Sequence, residues 1–277
     1  MPLLPHPSRR ALLRNTAAAA LTPLLARWAS AADDAKDSAT FTFAVLNDLH
    51  YVDKDCGAWL AKNVIDRLNA QAPDFVLVVG DLTEHGTKPQ NAGVRDVLAA
   101  LKMPLHVTVG NHDHQAGNND RTPYETAFPK SLNYHFEHKG WQFLALDSTQ
   151  GHAGANTRIH RDTITYATDT LKALDKKKPT ALFTHFPLGR FLPHRPANGN
   201  DLLLPFENHN LQAVFNGHFH SKTERLWGDA VLTTNTCCSF RKNNHDFDWR
   251  KGYFLCTAKD GQITRDYVQV NAPAPKP

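Results

Sequence analysis

The stretch "FVLVVGD" (residues 75–81) sets the frame for the whole chain. Five apolar residues run without a polar break, so both faces of the strand they form are buried, as in an inner strand of a parallel sheet. A glycine then lets the backbone turn, and an aspartate follows at once. On the N-terminal side stand a second strand, "FTFAVL" (41–46), and a helical pattern, "GAWLAKNVIDRLNA" (57–70), that stops before Pro73. On the C-terminal side come a helix over "NAGVRDVLAALK" (91–102), which stops before Pro104, and a third strand, "LHVTV" (105–109). A β-α-β-α-β order implies right-handed crossovers and a parallel sheet.

The pattern then changes. Residues 134–146 read as a hairpin turning at Lys139-Gly140, and 161–177 as a helix. Residues 180–186 and 212–217 are strands, with a helix-like piece near 201–209 between them. The chain ends in four strands, near 222–227, 231–236, 252–258 and 263–270, with turns at Gly228-Asp229 and Asp260-Gly261. One mixed α/β (α+β) domain over 40–270, holding two mixed sheets, is the expected fold. Residues 32–39 read as a flexible leader and 271–277 as a disordered tail.

The residues just past each buried strand carry the chemistry. Asp48 and His50 come after the first, and Gly80-Asp81 after the second. Gly110-Asn111-His112-Asp113 comes after the third. His185 stands after "ALFT", and Gly217-His218-Phe219-His220 after "AVFN". Ligands of α/β sheets bind at the carboxyl ends of the strands, so these clusters converge on one place. The candidate ligands are nitrogen and oxygen donors with no thiolate, which suits Mn, Fe, Co or Zn better than a cysteine-type structural zinc. Seven of them, Asp48, His50, Asp81, Asn111, His185, His218 and His220, are too many for one ion and suit two. A shared carboxylate holds such ions roughly 3.5–4 Å apart.

The ordered set D-x-H, G-D, G-N-H-D, H and G-H-x-H resembles the calcineurin-like metallophosphoesterases. It is complete and spans residues 48–220. The resemblance implies a four-layer αββα sandwich with a dinuclear metal site at the strand ends. It implies Asp48, His50, Asp81 and His220 on one metal, and Asp81, Asn111, His185 and His218 on the other, with Asp81 bridging. His112 would stand over the substrate phosphoryl group and Asp113 would orient His112 or its loop. The reaction implied is attack of a hydroxide held between the metals on a phosphodiester, or alternatively on a phosphomonoester. "GDLTEHG" (80–86), "TTNTCCSF" and "KGYFL" look like the branch of class III cyclic-nucleotide phosphodiesterases and glycerophosphodiesterases. Glu84 stands where purple acid phosphatases carry a tyrosine ligand. His114 stands where many cyclic-nucleotide enzymes carry arginine. Glu84, His85 and His114 are candidates to line the pocket, whereas His152, His160 and His194 read as solvated loop residues and Trp141 as core.

Of 277 residues, 41% are hydrophobic and 21% charged, ordinary for a globular chain that can bury a sizeable core. Residues 1–31 stand apart. Ser8-Arg9-Arg10-Ala11-Leu12-Leu13 precedes an alanine-rich stretch and Ala29-Ser30-Ala31, the order of a twin-arginine export signal. An exported, periplasmic or secreted protein is the expectation, with the export machinery as the precursor's partner and no transmembrane anchor in the mature chain. Without that segment, 27 basic residues face 27 acidic ones. No basic stripe remains for a nucleic-acid polymer, so a small phosphate ester is the expected partner. Of the four cysteines, Cys256 could pair with Cys237 or Cys238 if their strands are neighbours; buried thiols are the other reading.

Overall fold

The computed structural model describes residues 40–271. The expected export signal (1–31), the expected leader (32–39) and the expected tail beyond Asn271 lie outside the described residues.

Eleven strands form two mixed sheets. The first has the order β11-β10-β1-β2-β3: β1 (Phe41–Leu46), β2 (Phe75–Val79) and β3 (Leu105–Thr108) run parallel, β10 (Lys251–Lys259) pairs antiparallel with β1, and β11 (Gln262–Val270) pairs antiparallel with β10. The second has the order β4-β5-β6-β7-β9-β8. There β5 (Trp141–Ala145), β6 (Thr180–Phe183), β7 (Leu211–Asn216) and β9 (Ala230–Thr234) are parallel, and β4 (Tyr134–His138) and β8 (Thr223–Trp227) are antiparallel edges. The helices on the outer face of the first sheet are α1 (Lys54–Leu60), continued through a π turn at Ala61–Ile65 into α2 (Asp66–Gln71), then α3 (Lys88–Leu98) and α4 (Thr122–Ala127). The second sheet is covered by α5 (Arg161–Ala173) and α6 (Gly199–Leu203). Among the described residues no helix is long and apolar enough to cross a membrane.

Strand alternation assigns each residue to a layer. In β2, Phe75, Leu77 and Val79 face the second sheet, while Val76 and Val78 face the helices. The core between the sheets is aromatic. Phe43 stacks on Phe75 at 5.1 Å, and both meet Phe143 edge-on, at 5.6 and 5.2 Å. The expected four-layer arrangement of two mixed sheets flanked by helices is the one found.

Element ends moved where capping and packing decide them. The helix expected over 91–102 starts at Lys88, because the Thr87 side chain accepts from the Gln90 N–H and a proline sits in the first turn. It stops at Leu98, beyond which single tight turns carry the chain to Leu101. The helix expected to run to 177 stops at Ala173, because Leu174 turns extended and packs against the core of the second sheet. Neither cysteine pairing forms: all four thiols are free and buried. Cys256 lies on β10 in the first sheet, whereas Cys237 and Cys238 come after β9 in the second.

Candidate metal centre

The carboxyl ends of β1, β2, β3, β6 and β7 meet at one edge of the two sheets. Beyond β1 and β2 the two chains stay side by side: the Asp48 N–H donates to the Gly80 carbonyl at 3.1 Å and the His50 N–H to the Asp81 carbonyl at 2.9 Å. The Gly217 N–H donates to the His185 carbonyl at 2.9 Å, so the β6 and β7 ends are tied in the same way. Asp48, His50, Asp81, His218 and His220 all have positive φ, between 45° and 65°. Non-glycine residues seldom hold this left-handed backbone, and its concentration here marks a site whose geometry is imposed by its surroundings. Gly80 has no alternative: a Cβ there would lie 2.3 Å from His185 Nδ1.

All seven candidate ligands come together. Asp48, His50, Asp81 and His220 present ligand atoms within 4.8 Å of one another, and so do Asp81, His185 and His218. Asn111 joins the second group through Oδ1, 3.2 Å from His185 Nε2.

The hydrogen-bond partners fix which imidazole nitrogen faces inward. His185 Nδ1 donates to the Val79 carbonyl at 3.1 Å, and His218 Nε2 to the Gly154 carbonyl at 2.9 Å. His220 Nδ1 donates to the Asn243 carbonyl at 3.2 Å. His50 Nδ1 lies 2.9 Å from Glu84 Oε2, off the ideal line of a hydrogen bond. Each of these partners can only accept, so each neutral ring turns its remaining lone pair into the cavity. His50 Nε2 and His220 Nε2 then face each other at 3.2 Å. Around them, His220 Nε2 lies 3.3 Å from Asp48 Oδ1 and His50 Nε2 lies 3.6 Å from Asp81 Oδ2. His185 Nε2 lies 3.3 Å from Asp81 Oδ1. Acceptors facing acceptors repel unless positive charge lies between them.

In the metal-free chain protons take that place. Burial works to lower the pKa of His185, but the carboxylates of Asp81 and Asp48 override it and raise it to about 9. His220 is pushed up the same way: burial opposes the charge and Asp48 wins. His218, with burial and His185 against it, falls to about 3. The donor set therefore fits cations, with nitrogen and oxygen acceptors turned inward and the outward nitrogens of His185, His218 and His220 held by backbone carbonyls.

His112 is placed beside this group. Its backbone N–H donates to Asp81 Oδ1 at 2.8 Å, and its Nδ1 donates to the Glu84 carbonyl at 2.8 Å. Its ring meets His50 edge-on at 4.8 Å, and its side chain is 25% exposed, which puts its Nε2 at the mouth. Asp113 does not face the centre. Its fully buried carboxylate accepts from the N–H groups of Gly110, Leu82 and Thr83 at 2.8, 3.2 and 2.9 Å, and from the Thr83 hydroxyl at 3.1 Å. It braces the loop that carries Asn111 and His112 and does not touch the His112 ring. Burial, then the charge of Asp81, raise its pKa to about 7.

Other residues are harder to read from the sequence. Glu84 reaches the centre: it sits on His50 and is held by Lys242 Nζ at 2.7 Å. Burial opposes its charge, yet His50 and Lys242 bring its carboxyl down to about 2. His114 turns away from the mouth and is buried, with Nε2 2.9 Å from the Thr149 hydroxyl. His152 and His194 are nearer than solvated loop residues would be, with rings 5.2 Å from His112 and 5.3 Å from His218. Nothing in the motif pointed to Lys242, Asn243 or His245, which come from a late loop. The His245 ring stacks on His220 at 4.6 Å. Trp141 is core, as expected.

Comparison with known proteins agrees with this geometry. The model of the calcineurin-like phosphoesterase family matches residues 41–222. The chain belongs to that family. Among curated members, it is 30% identical to the glycerophosphodiester phosphodiesterase GpdQ of Enterobacter lignolyticus over 62% of this chain and 66% of that protein. It is 28% identical to a probable cyclic nucleotide phosphodiesterase of Synechococcus over 56% of this chain and 61% of that one. The chain thus spans just under two thirds of the length of these relatives. In fold, this calcineurin-like phosphoesterase superimposes on a dimetal phosphatase from Danio rerio with a TM-score of 0.65, at 12% identity, over 84% of this chain and 97% of that one.

Glu84 carries a prediction. A carboxylate behind a ligating imidazole fixes its tautomer and raises its basicity, and losing such a partner weakens metal affinity roughly 10–100-fold. Glu84→Gln should weaken binding of one ion by that factor and leave the other nearly unchanged. Competition with a chromogenic chelator measures both.

Proposed function

We propose that this protein is a metal-dependent phosphodiesterase acting on small phosphate esters. The observation that carries it is the inward set of lone pairs and carboxylate oxygens on seven side chains, with the outward nitrogens of His185, His218 and His220 donating to backbone carbonyls and that of His50 beside Glu84. Asp48, His50, Asp81 and His220 would hold one cation, and Asp81, Asn111, His185 and His218 the other, with Asp81 between them. When bound, the two cations, from among Mn, Fe, Zn or Co, supply Lewis acidity toward the phosphoryl oxygens and lower the pKa of water at the centre.

The chain's own residues do the rest. Asp81 accepts the His112 N–H while facing both ligand groups, so the position of His112 is tied to the metal positions. With Nδ1 fixed on the Glu84 carbonyl, His112 in its protonated form presents Nε2–H toward the mouth. There it can donate to a phosphoryl oxygen as charge grows and hand a proton to the departing alkoxide. Asp113 keeps this loop in register.

Two features support a diester over a monoester. Both of these curated relatives bear phosphodiesterase names. Glu84 replaces the tyrosine of the purple acid type. The balance of 27 basic and 27 acidic residues beyond position 31 favours a small ester over a polyanion.

With added Mn²⁺, the chain from Ala32 should cleave bis(p-nitrophenyl) phosphate faster than p-nitrophenyl phosphate. His112→Ala should lower kcat by about 10²-fold or more with metal content unchanged. Faster monoester cleavage would make the protein a phosphatase, and an unchanged rate in His112→Ala would remove that residue from the mechanism.

We also infer that the protein is exported through the twin-arginine route. The support is the order of Arg9-Arg10, the alanine-rich stretch and Ala29-Ser30-Ala31. N-terminal sequencing of the processed protein should begin at Ala32, and replacing both arginines by lysine should leave uncut precursor. Processing unaffected by that change would contradict the route.

A further inference from the structure

Between β9 and β10 a loop over residues 239–250 forms no helix or strand, and it leans on the metal centre. Lys242 holds Glu84 at 2.7 Å, the Asn243 carbonyl holds His220 Nδ1 at 3.2 Å, and the His245 ring lies on His220. The neck of this loop is a contact between Cys237 and Lys251. Lys251 Nζ lies 3.0 Å from Cys237 Sγ. Cys237 is fully buried and Lys251 is 4% exposed. The other partner of the lysine is the Lys242 carbonyl, and among the described residues no carboxylate shares it. Buried lysines ordinarily face a carboxylate. This one faces a thiol.

Both ends of the neck are anchored outside the loop. The N–H of Cys238 donates to the Asn47 carbonyl at 3.0 Å, and Lys251 pairs with Val270 in the first sheet. The loop between them carries the exposed residues Arg241, Asn243, His245, Asp246 and Phe247. Such a segment can open locally and admit a small molecule while its ends stay in contact. Cys238 points the other way, into the apolar core between the first sheet and its helices.

We propose that Cys237 and Lys251 form a modification site, at which a peroxide-class oxidant closes a reversible S–N crosslink across the neck of this loop. In the first step the Cys237 thiol reacts with hydrogen peroxide. Sulfur is oxidised by two electrons to the sulfenic acid, and the peroxide is reduced to water. In the second step the Lys251 amine attacks sulfur. The N–S bond forms, the S–O bond breaks, and the hydroxyl leaves as water with a proton from nitrogen. Two equivalents of a thiol reverse the product to free cysteine and amine and are themselves oxidised to a disulfide. The crosslink is independent of the phosphodiesterase reading, since it is read by mass and not by activity.

The test is mass spectrometry of the metal-loaded protein after hydrogen peroxide and alkylation. Apart from the one alkyl group that Cys237 can no longer take, the crosslinked species should be about 2 Da lighter than the reduced chain, the mass of the two hydrogens lost. Trypsin should release peptide 226–241 joined to peptide 251–259, uncut after Lys251, and dithiothreitol should separate them. The product should persist in Cys238→Ala and vanish in Lys251→Met. A loss of 2 Da, about that of any two-electron closure, that persists in Lys251→Met and vanishes in Cys238→Ala would be a vicinal disulfide and would overturn the proposal. Cys237 carrying only added oxygen, or left unoxidised, would overturn it equally.

Discussion

At the heart of the molecule two imidazole nitrogens, one on His50 and one on His220, point at each other across 3.2 Å. Their other nitrogens are committed to Glu84 and to the Asn243 carbonyl, so neither neutral ring can turn a proton inward. His185 and His218 repeat the pattern with the carbonyls of Val79 and Gly154. Buried lone pairs and carboxylates gathered in this way cost free energy unless cations, or protons in their absence, occupy the space between them. The left-handed backbone at five of the ligand positions and the glycine at 80 keep the acceptors aimed. The unusual local geometry therefore has one cause.

The fold's part is to make that geometry stiff. The two sheets supply different ligands: β1, β2 and β3 bring Asp48, His50, Asp81 and Asn111, and β6 and β7 bring His185, His218 and His220. Each ligand group draws on both sheets, so its geometry depends on the distance between them. Phe43, Phe75 and Phe143 set it by packing ring against ring. Interiors of this kind resist compression, so the aromatic layer fixes the spacing at the centre. The cross-sheet hydrogen bonds from the His218 N–H to Asp48, at 3.0 Å, finish the alignment.

Much of this is legible in the sequence because it is local. Unbroken apolar runs such as 75–79 give the inner strands, and the polar residues that come after them give the ligands by strand direction alone. The unreadable part is non-local. Glu84 reads equally well as loop polarity until Lys242, far along the chain, is found holding it against His50. His114 sits beside the ligand loop in sequence, yet its ring turns inward to Thr149. Asp113 belongs to the motif, but its carboxylate serves backbone N–H groups. Helix ends moved by a few residues wherever a side chain such as Thr87 caps the backbone from outside the periodic pattern.

The most direct test of the central claim is a count of metal ions. Isothermal titration of the chelator-stripped protein with Mn²⁺, checked by elemental analysis after dialysis, should show two ions per chain. Binding should release protons, because the protons that stand in for the ions on His185 and His220 must leave. In Asp81→Asn both sites should weaken together, since that carboxylate faces both ligand groups. A single ion per chain, or two ions that Asp81→Asn leaves untouched, would contradict the account.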